Sequence, residues 1–298
     1  MSLGTPDLRR PDLRSVVQLV RAPAALSIPG DILAGAAAAG RPLDRRTPAL
    51  IASSVCLYWA GMALNDYADR DIDAKERPDR PIPSGRVTPD TALGIATGLT
   101  ATGLAVAALA GGRRALAVTL PLTAGIWAYD LWLKGTPGAG ASMAFARGMN
   151  VLHGAGADGW RAALRPAAVT AAHTATLMAL SRKEVEGATA VLPALTLAAT
   201  GAVCAVAPSA GGTSPRLRDR AAATALSAVY AAMFGPAQLQ AVVQPTAARL
   251  QQAVGSGIMS IIPLQAALTA RSGRPGAALS VLAALPIGRA LGRKVATT

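Results

Sequence analysis

The sequence predicts an all-α membrane protein: a polytopic bundle of about nine transmembrane helices around a central cavity, forming one domain over residues 1–298. Composition is the first reason. Hydrophobic residues make up 52% of the chain and charged residues 15%, with a mean hydropathy of +0.37, whereas soluble domains carry about a quarter charged residues. The second reason is that the apolar residues fall in long blocks, and about 20 consecutive apolar residues span a bilayer as a helix. The third lies in the first block, where Arg21, Pro23, Pro29 and Asp31 interrupt otherwise apolar sequence. Such groups are costly in hydrocarbon unless they face a cavity or the interface, so this span reads as a broken helix lining a pocket.

The blocks between breakers place helices near 15–40, 47–67, 90–111, 114–132, 140–157, 166–181, 188–207, 219–241, 246–270 and 275–292, nine or ten spans in all. Pro236 and Pro245 interrupt the late segments, and the 140–157 block carries Arg147, Asn150 and His153. A proline inside a helix removes one hydrogen bond and crowds the preceding turn. The polar Met1–Arg14 stretch, with Arg9, Arg10 and Arg14, precedes the first block without a clear small-residue cleavage site, so that block is expected to stay as a membrane helix. Two connections are long: Asp69 to Pro89, rich in charge, and the Gly/Ser/Pro-rich stretch from Pro208 to Arg218, which reads as a plain loop. No domain-sized repeat is evident.

Charge and cysteine content exclude several functions. The net charge is +13, but the basic residues sit in short loops rather than one stripe and aromatics are only 3%, which argues against nucleic acid and for anchoring of helix ends against anionic lipid. Cys56 and Cys204 both lie in apolar runs, so neither a disulfide framework nor a thiolate metal site has the needed count. The densest basic loop, with Arg70, Lys75, Arg77, Arg80 and Arg86, favours the cytoplasmic side for itself and for the N-terminus. The opposite side would hold Arg41, Arg45, Arg46, Arg113, Arg114, Arg216, Arg218 and Arg220, so the asymmetry is small.

Chemistry concentrates where the second span leaves the membrane, in Asn65-Asp66-Tyr67-Ala68-Asp69-Arg70-Asp71-Ile72-Asp73, followed by Arg77-Pro78, Arg80-Pro81, Pro83, Ser84 and Gly85. At 3.6 residues per turn, Asp66, Asp69 and Asp73 share one helix face, with Asn65 adjacent. Like charges at these spacings destabilise a helix unless something positive neutralises them. Hard oxygen ligands at this density suit Mg²⁺, which commonly binds through one or two carboxylates plus substrate phosphate oxygens. Arg77 and Arg80 supply further countercharge for a phosphorylated substrate. A solvated acidic helix end paired with Arg70, Lys75 and Arg77 is the plainer alternative, but it leaves the spacing and the membrane-edge position unexplained. Arg147, Asn150 and His153 recur on one face of a span and are candidates for an acceptor pocket or a diphosphate site. Lys134 directly follows Tyr129 and Asp130 at a span end and is placed either to hold a diphosphate oxygen or to snorkel. His153 and His173 read as structural histidines rather than bases.

The run Asn-Asp-x-x-Asp-x-x-x-Asp followed by Arg-Pro-x-x-Ser-Gly resembles the first signature of the UbiA-type intramembrane prenyltransferases. The likeness extends to the Arg21/Pro23 region, the Tyr129–Lys134 element and the Arg147-Gly148-x-Asn150 segment, and the branch most resembled is a bacterial, EboC-like group. It implies a helical bundle around a cavity open to the membrane, with two acidic motifs facing each other across a diphosphate and Mg²⁺. It also implies that Asn65, Asp66, Asp69 and Asp73 form the first motif. Asp66, Asp69, Asp73 and Lys134 then carry catalysis, while Asn65, Arg21, Arg77, Arg80, Tyr129, Arg147 and Asn150 bind substrate. The second motif, usually two aspartates four residues apart, corresponds to Ser181-Arg182-Lys183-Glu184-Val185-Glu186-Gly187. Glu184 and Glu186 are its candidate metal ligands, although residues two apart on a regular helix point away from each other. The implied reaction ionises an isoprenyl diphosphate and passes the prenyl group to an acceptor that the resemblance does not identify, with membrane lipid as surroundings. A terpene cyclase or a phosphoribosyl transferase of the same superfamily, or a non-catalytic transporter or lipid-binding bundle, are the rival readings.

Overall fold

The computed structural model describes residues 12–209 and 216–296; Arg9 and Arg10 and the centre of the Pro208–Arg218 connection lie outside them. Every regular element among the described residues is helical. The first block is broken as expected: α1 (Leu13–Leu19) is followed by a 3₁₀ segment (Ala22–Ser27) and α2 (Ile28–Ala38), with a bend of 49°. The break sits at Arg21, whose φ of 47° and ψ of 50° are left-handed, a conformation that costs a non-glycine residue energy and tends to persist at functional sites. Pro23 follows at the start of the 3₁₀ segment, where its missing N–H is no loss.

Next come α3 (Arg46–Ala68), the short α4 (Arg70–Glu76) and α5 (Pro89–Ala128), which runs into a π-turn at Tyr129–Leu133; α6 (Ala139–Ser181) follows. Helices α7 (Val191–Val206), α8 (Leu217–Val243), α9 (Ala247–Arg271) and α10 (Pro275–Ala296) complete the chain. The 90–111 and 114–132 blocks form two helical arms with no loop between them, and so do 140–157 and 166–181. Each pair is joined at a single glycine with non-helical dihedrals, Gly112 (φ 60°, ψ −149°) and Gly156 (φ 73°, ψ 170°). These are backbone values that only glycine adopts cheaply.

Both joints fold the chain back on itself. The Trp127 indole N–H donates to Thr100 Oγ1 at 3.2 Å across 27 residues, a separation of about 40 Å along a straight helix. In α6, a Cβ on Gly148 would lie 3.3 Å from the Ala167 carbonyl oxygen, which requires the same reversal. The guanidinium of Arg41 donates to the Gly154 carbonyl at 3.2 Å and so caps the helix end at this joint.

Among the described residues, five helices are long and apolar enough to cross a membrane, or six if the broken first pair forms one span. The nine or ten spans expected from the sequence are therefore not all met by separate helices. The two arms of α5 count as one of these five, and α6, with Arg147, Asn150 and His153 in one arm, is not among them. Pro236 does not interrupt α8, which continues to Val243, while Pro245 lies in the turn before α9.

Packing relies on small residues. A Cβ on Gly35 of α2 would fall 1.8 Å from the Val151 carbonyl oxygen, and one on Gly154 of α6 would fall 2.2 Å from that of Ile32. The two backbones touch, as small-residue interfaces in membranes permit. The C-terminal half buries a larger core, with His173 edge-on to Tyr230 and Phe234 at centroid distances of 5.5 and 5.6 Å and Leu180, Leu250, Leu264 and Leu268 around them. Cys56 and Cys204 are free thiols. In the N-terminal half, Ile82 and Val87 of the loop after α4 bury against Leu19 and Leu64, which pins that basic loop over the end of α3.

Candidate active site

The acidic row forms as the spacing predicts. Asp69 joins α3 to α4, with its N–H bonded to the Asn65 carbonyl at 3.0 Å and its own carbonyl accepting from Asp73 N–H at 2.8 Å. One helical face therefore continues across the joint. Asp66 and Asp73 are only 3% and 1% exposed, and Asp69 is half-buried; Asp71 points to solvent.

Each buried carboxylate has a cationic partner. Arg80 Nη1 donates to Asp66 Oδ1 at 3.2 Å and to Asp73 Oδ2 at 2.5 Å, bridging the first and last members of the row. Arg21, brought round by the left-handed break, donates to Asp66 Oδ1 at 2.9 Å. Arg77 lies 3.7 Å from Asp73, and Lys134 pairs with Asp69. The loop bearing Arg77 and Arg80 is tied down by the Ser84 hydroxyl donating to the Arg80 carbonyl at 2.7 Å and by Arg86 donating to Gln18 of α1 at 2.7 Å.

The facing wall comes from the π-turn. Its wider turn, closed by Lys134 N–H to the Tyr129 carbonyl at 2.8 Å, aims Lys134 at Asp69 while Asp130 accepts from Asn65 Nδ2 at 2.8 Å. Such bulges recur at functional sites. Asp130, 6% exposed, is a member of the site that the sequence reading named only as a neighbour of Lys134. Its signal was a carboxylate inside an apolar block.

Between these walls lies a cavity of about 350 Å³. Its mouth is lined by Arg21, Asn65, Asp69, Arg77, Arg80, Tyr129, Asp130 and Lys134. One flank is apolar, from Leu57, Leu122, Ile126, Met143 and Ala146, and the floor adds Ser54, Tyr58, Arg147 and Asn150. Asp66 and Asp73 stand behind Arg80 rather than on the surface of the cavity.

At the floor, Arg147 Nε sits 2.8 Å from Asp31 Oδ2, and its Nη2 donates to both the carbonyl and the hydroxyl of Ser27 at 3.1 Å. Asn150 donates to Asp31 at 2.9 Å and accepts from Ser54, while Gln265 of α9 donates to Asp31 at 2.6 Å. Gln265 was outside the predicted site, and Asp31 was named only as a polar group of the broken first span expected to line a pocket. Their role comes from helices far apart in sequence.

Other predicted residues stand elsewhere. Glu184 and Glu186 do not line the cavity; they lie in the turn between α6 and α7, where Glu186 accepts from Lys183 at 2.8 Å. That hydrogen bond and the adjacent ammonium hold the Glu186 carboxyl below the usual range. The turn uses the pair locally, since two residues of separation give no shared face. His153 is spent on Thr119 at 3.1 Å and His173 on Tyr230 at 3.1 Å, and neither reaches the cavity.

The chemistry of the mouth fits a divalent cation. Arg21, Arg77, Arg80 and Lys134 balance Asp66, Asp69, Asp73 and Asp130, so a diphosphate entering this balanced site needs added positive charge. Among the described residues no three metal-ligating side chains form a closed cage, but Mg²⁺ shared with a phosphate uses only one or two carboxylates and keeps waters. Asp69, Asp130 and Asn65 offer those oxygens on the cavity wall. Asp73 Oδ1 is buried without a hydrogen bond among the described residues.

The chain is similar to several known proteins. The chain is 36% identical over 149 residues to the digeranylgeranylglyceryl phosphate synthase of Natronomonas pharaonis, covering 49% of this chain and 53% of that one. It is 38% identical over 161 residues to the synthase of Halobacterium salinarum, covering 49% and 54%. The chain thus spans about half the length of the curated relatives it matches, and these relatives are archaeal rather than of the bacterial branch suggested by the sequence. Among solved structures, a UbiA homologue of Aeropyrum pernix K1 superposes with a TM-score of 0.60 at 22% identity, over 82% of this chain and 96% of that one. A UbiA homologue of Archaeoglobus fulgidus bound to GPP and Mg²⁺ gives 0.52 at 13% identity, over 83% and 99%. These likenesses are of fold. The UbiA prenyltransferase family itself matches residues 29–294, a span that begins in α2, after the break at Arg21, and takes in the acidic row, the π-turn and the floor residues Asp31, Arg147, Asn150 and Gln265, and the chain is an integral membrane protein of that family.

Proposed function

We propose that the protein is a Mg²⁺-dependent intramembrane prenyltransferase that ionises an isoprenyl diphosphate at the cavity mouth, transfers the prenyl group to an acceptor and releases diphosphate. The observation that carries this reading is one cavity with a charged mouth of four cations and an acidic wall, and an apolar flank beside it. The archaeal relatives are named for making a digeranylgeranylglyceryl phosphate, and one fold neighbour is described with GPP and Mg²⁺ bound, which supports the donor class.

Arg80, Arg77, Arg21 and Lys134 orient the diphosphate and take up charge as the bond to the allylic carbon weakens. Each is fixed in place by a carboxylate: Lys134 by the half-buried Asp69, and Arg21, Arg77 and Arg80 by the buried Asp66 and Asp73. Asn65, Asp69 and Asp130 would hold the metal, with Asp66 and Asp73 fixing Arg80 behind them. When bound, Mg²⁺ supplies charge neutralisation of the leaving diphosphate. Leu57, Leu122, Ile126 and Met143 pack the isoprenoid and exclude water from the allylic cation. We assign no metal role to Glu184 or Glu186 in this arrangement. A cyclase is disfavoured by the polar floor, which a chain closing on itself does not use.

We further infer nine membrane passes: the broken first pair, α3, both arms of α5, both arms of α6, and α7, α8 and α9, with the basic mouth on the cytoplasmic side. The deciding experiment incubates the protein in nanodiscs with geranyl, farnesyl and geranylgeranyl diphosphates, with and without Mg²⁺, together with membrane lipid extract or geranylgeranylglyceryl phosphate. Mg²⁺-dependent diphosphate release with a prenylated product supports transfer. A cyclic hydrocarbon or alcohol formed without acceptor overturns it.

A further inference from the structure

The two ends of the cavity differ in how their charges are arranged. At the mouth the cations belong to a loop, a helix break and a π-turn, and face the space where a diphosphate enters. At the floor one cation, Arg147, is neutralised by Asp31, which is fully buried. Asp31 accepts hydrogen bonds from Asn150 Nδ2 and Gln265 Nε2 and lies against the Arg147 guanidinium, whose Nε is 2.8 Å from Oδ2 without forming a hydrogen bond. That is the environment of an ionised carboxylate rather than of an acid, which would need an acceptor for its own proton. The floor therefore carries one positive and one negative charge, and its remaining lining groups, Ser54, Tyr58 and Asn150, are neutral.

Arg147 is also oriented. Its Nε faces Asp31 and its Nη2 is occupied by Ser27. Nη1 has no hydrogen-bond partner among the described residues, while the side chain lines the cavity. From Asn65 at the mouth to Ser54 at the floor, α3 descends eleven residues, about 16 Å. Among the described residues no mouth cation is paired with a floor group, and an anion there would face desolvation with the Arg147 charge already taken by Asp31.

Resting on the prenyl-transfer reading, we propose that this floor is the subsite for the polar group of the acceptor, and that it takes an uncharged oxygen-bearing group such as an alcohol or carbonyl. Arg147 Nη1 donates to that oxygen, and Asp31 is the positioning residue that cancels its charge. The selectivity follows from electrostatics: a phosphate or carboxylate in the same place finds an ion pair already satisfied.

The test measures equilibrium binding of two probes differing only in charge, geranylgeranylglycerol and geranylgeranylglyceryl phosphate. The protein is held in phosphatidylcholine nanodiscs with Mg²⁺ and saturating geranylgeranyl thiolodiphosphate, so that the mouth is filled by a donor analogue that does not ionise. Wild type is expected to bind the neutral probe at least about tenfold tighter, the scale of one unmatched charge-assisted contact. Asp31→Asn exposes the Arg147 charge and shifts the ratio about tenfold toward the phosphate. The double variant Asp31→Asn/Arg147→Gln is neutral again, is expected to return the preference to the neutral probe, and decides the matter if the single variant does not fold. Preference of the wild type for the phosphate, binding of neither probe, or a ratio unmoved by both variants overturns the proposal. Binding is read without turnover, so failure of the transfer reading would be seen separately, as absence of diphosphate release.

Discussion

The mouth and the floor of the cavity are both built from ion pairs, yet they are held in opposite ways. At the mouth, Arg77 and Arg80 come from a loop, Lys134 from a π-turn, and Asp69 is half-buried. At the floor, Asp31, Arg147, Asn150 and Gln265 all project from helices, and Asp31 has no exposure at all. Water-accessible pairs exchange partners easily and contribute little to stability. A buried pair has lost its hydration, so removing one partner strands the other. At the mouth the Lys134–Asp69 pair is the accessible one and is suited to admitting a new anion and cation, with the buried Asp66 and Asp73 fixing Arg80 behind it, while the floor is buried throughout and holds one geometry.

The sharpest way to break this contrast is at Asp69. Asp69→Ala is expected to lower diphosphate release by about 10³-fold while the detergent-extracted protein keeps its thermal transition, and Asp66→Ala should act alike. Retention of activity by both variants would remove the mouth from catalysis. At the floor the order inverts: Arg147→Met leaves the Asp31 carboxylate uncompensated and should lower stability by about 3–5 kcal/mol, read as a fall in the thermal midpoint in nanodiscs. An unchanged midpoint would mean that the floor is as adaptable as the mouth.

Arg80 sharpens the comparison, because its Nη1 bridges Asp66 and Asp73. Arg80→Ala should reduce kcat/KM for the donor by about 10- to 100-fold, with Arg80→Lys recovering part, since a point charge lacks the planar fork. Equal loss in both variants would show that geometry outweighs charge there. The smallest effect is expected at Glu186, whose fully exposed carboxyl pairs with Lys183. Because its pKa is lowered in the fold, any stability it contributes is present above the ordinary Glu range and fades as pH falls through the depressed value. Glu186→Gln should leave activity and magnesium dependence unchanged. A loss of Mg²⁺ response in this variant would restore the second acidic motif to the site.

Much of the mouth was legible in the sequence because it is local. Three aspartates at helical spacing and an Arg-Pro-x-x-Ser-Gly run fall within twenty residues, and periodicity alone puts the carboxylates on one face. The break at Arg21 was legible too, from polar groups and prolines that hydrocarbon does not tolerate. Glu184 and Glu186 stand in a turn away from the cavity, because a motif position fixes where residues stand in the chain, not whether the turn carrying them faces the cavity. The breaks expected at 111–114 and near 157 fall at Gly112 and Gly156, but the second arm of α6 starts directly after Gly156 rather than at 166. One glycine with left-handed φ reverses a helix without the polar loop that a sequence reading looks for.

The sequence by itself determined the all-helical membrane class, the acidic face of α3 and α4, and the basic loop beside it, since these follow from hydropathy and a 3.6-residue repeat. Only the tertiary structure decided that Asn65 would bond to Asp130, that Lys134 would reach Asp69, and that Gln265 would close on Asp31 from 234 residues away. Those contacts depend on how far each helix descends and which way it turns, and buried polar groups on separate helices find partners only once the helices have packed.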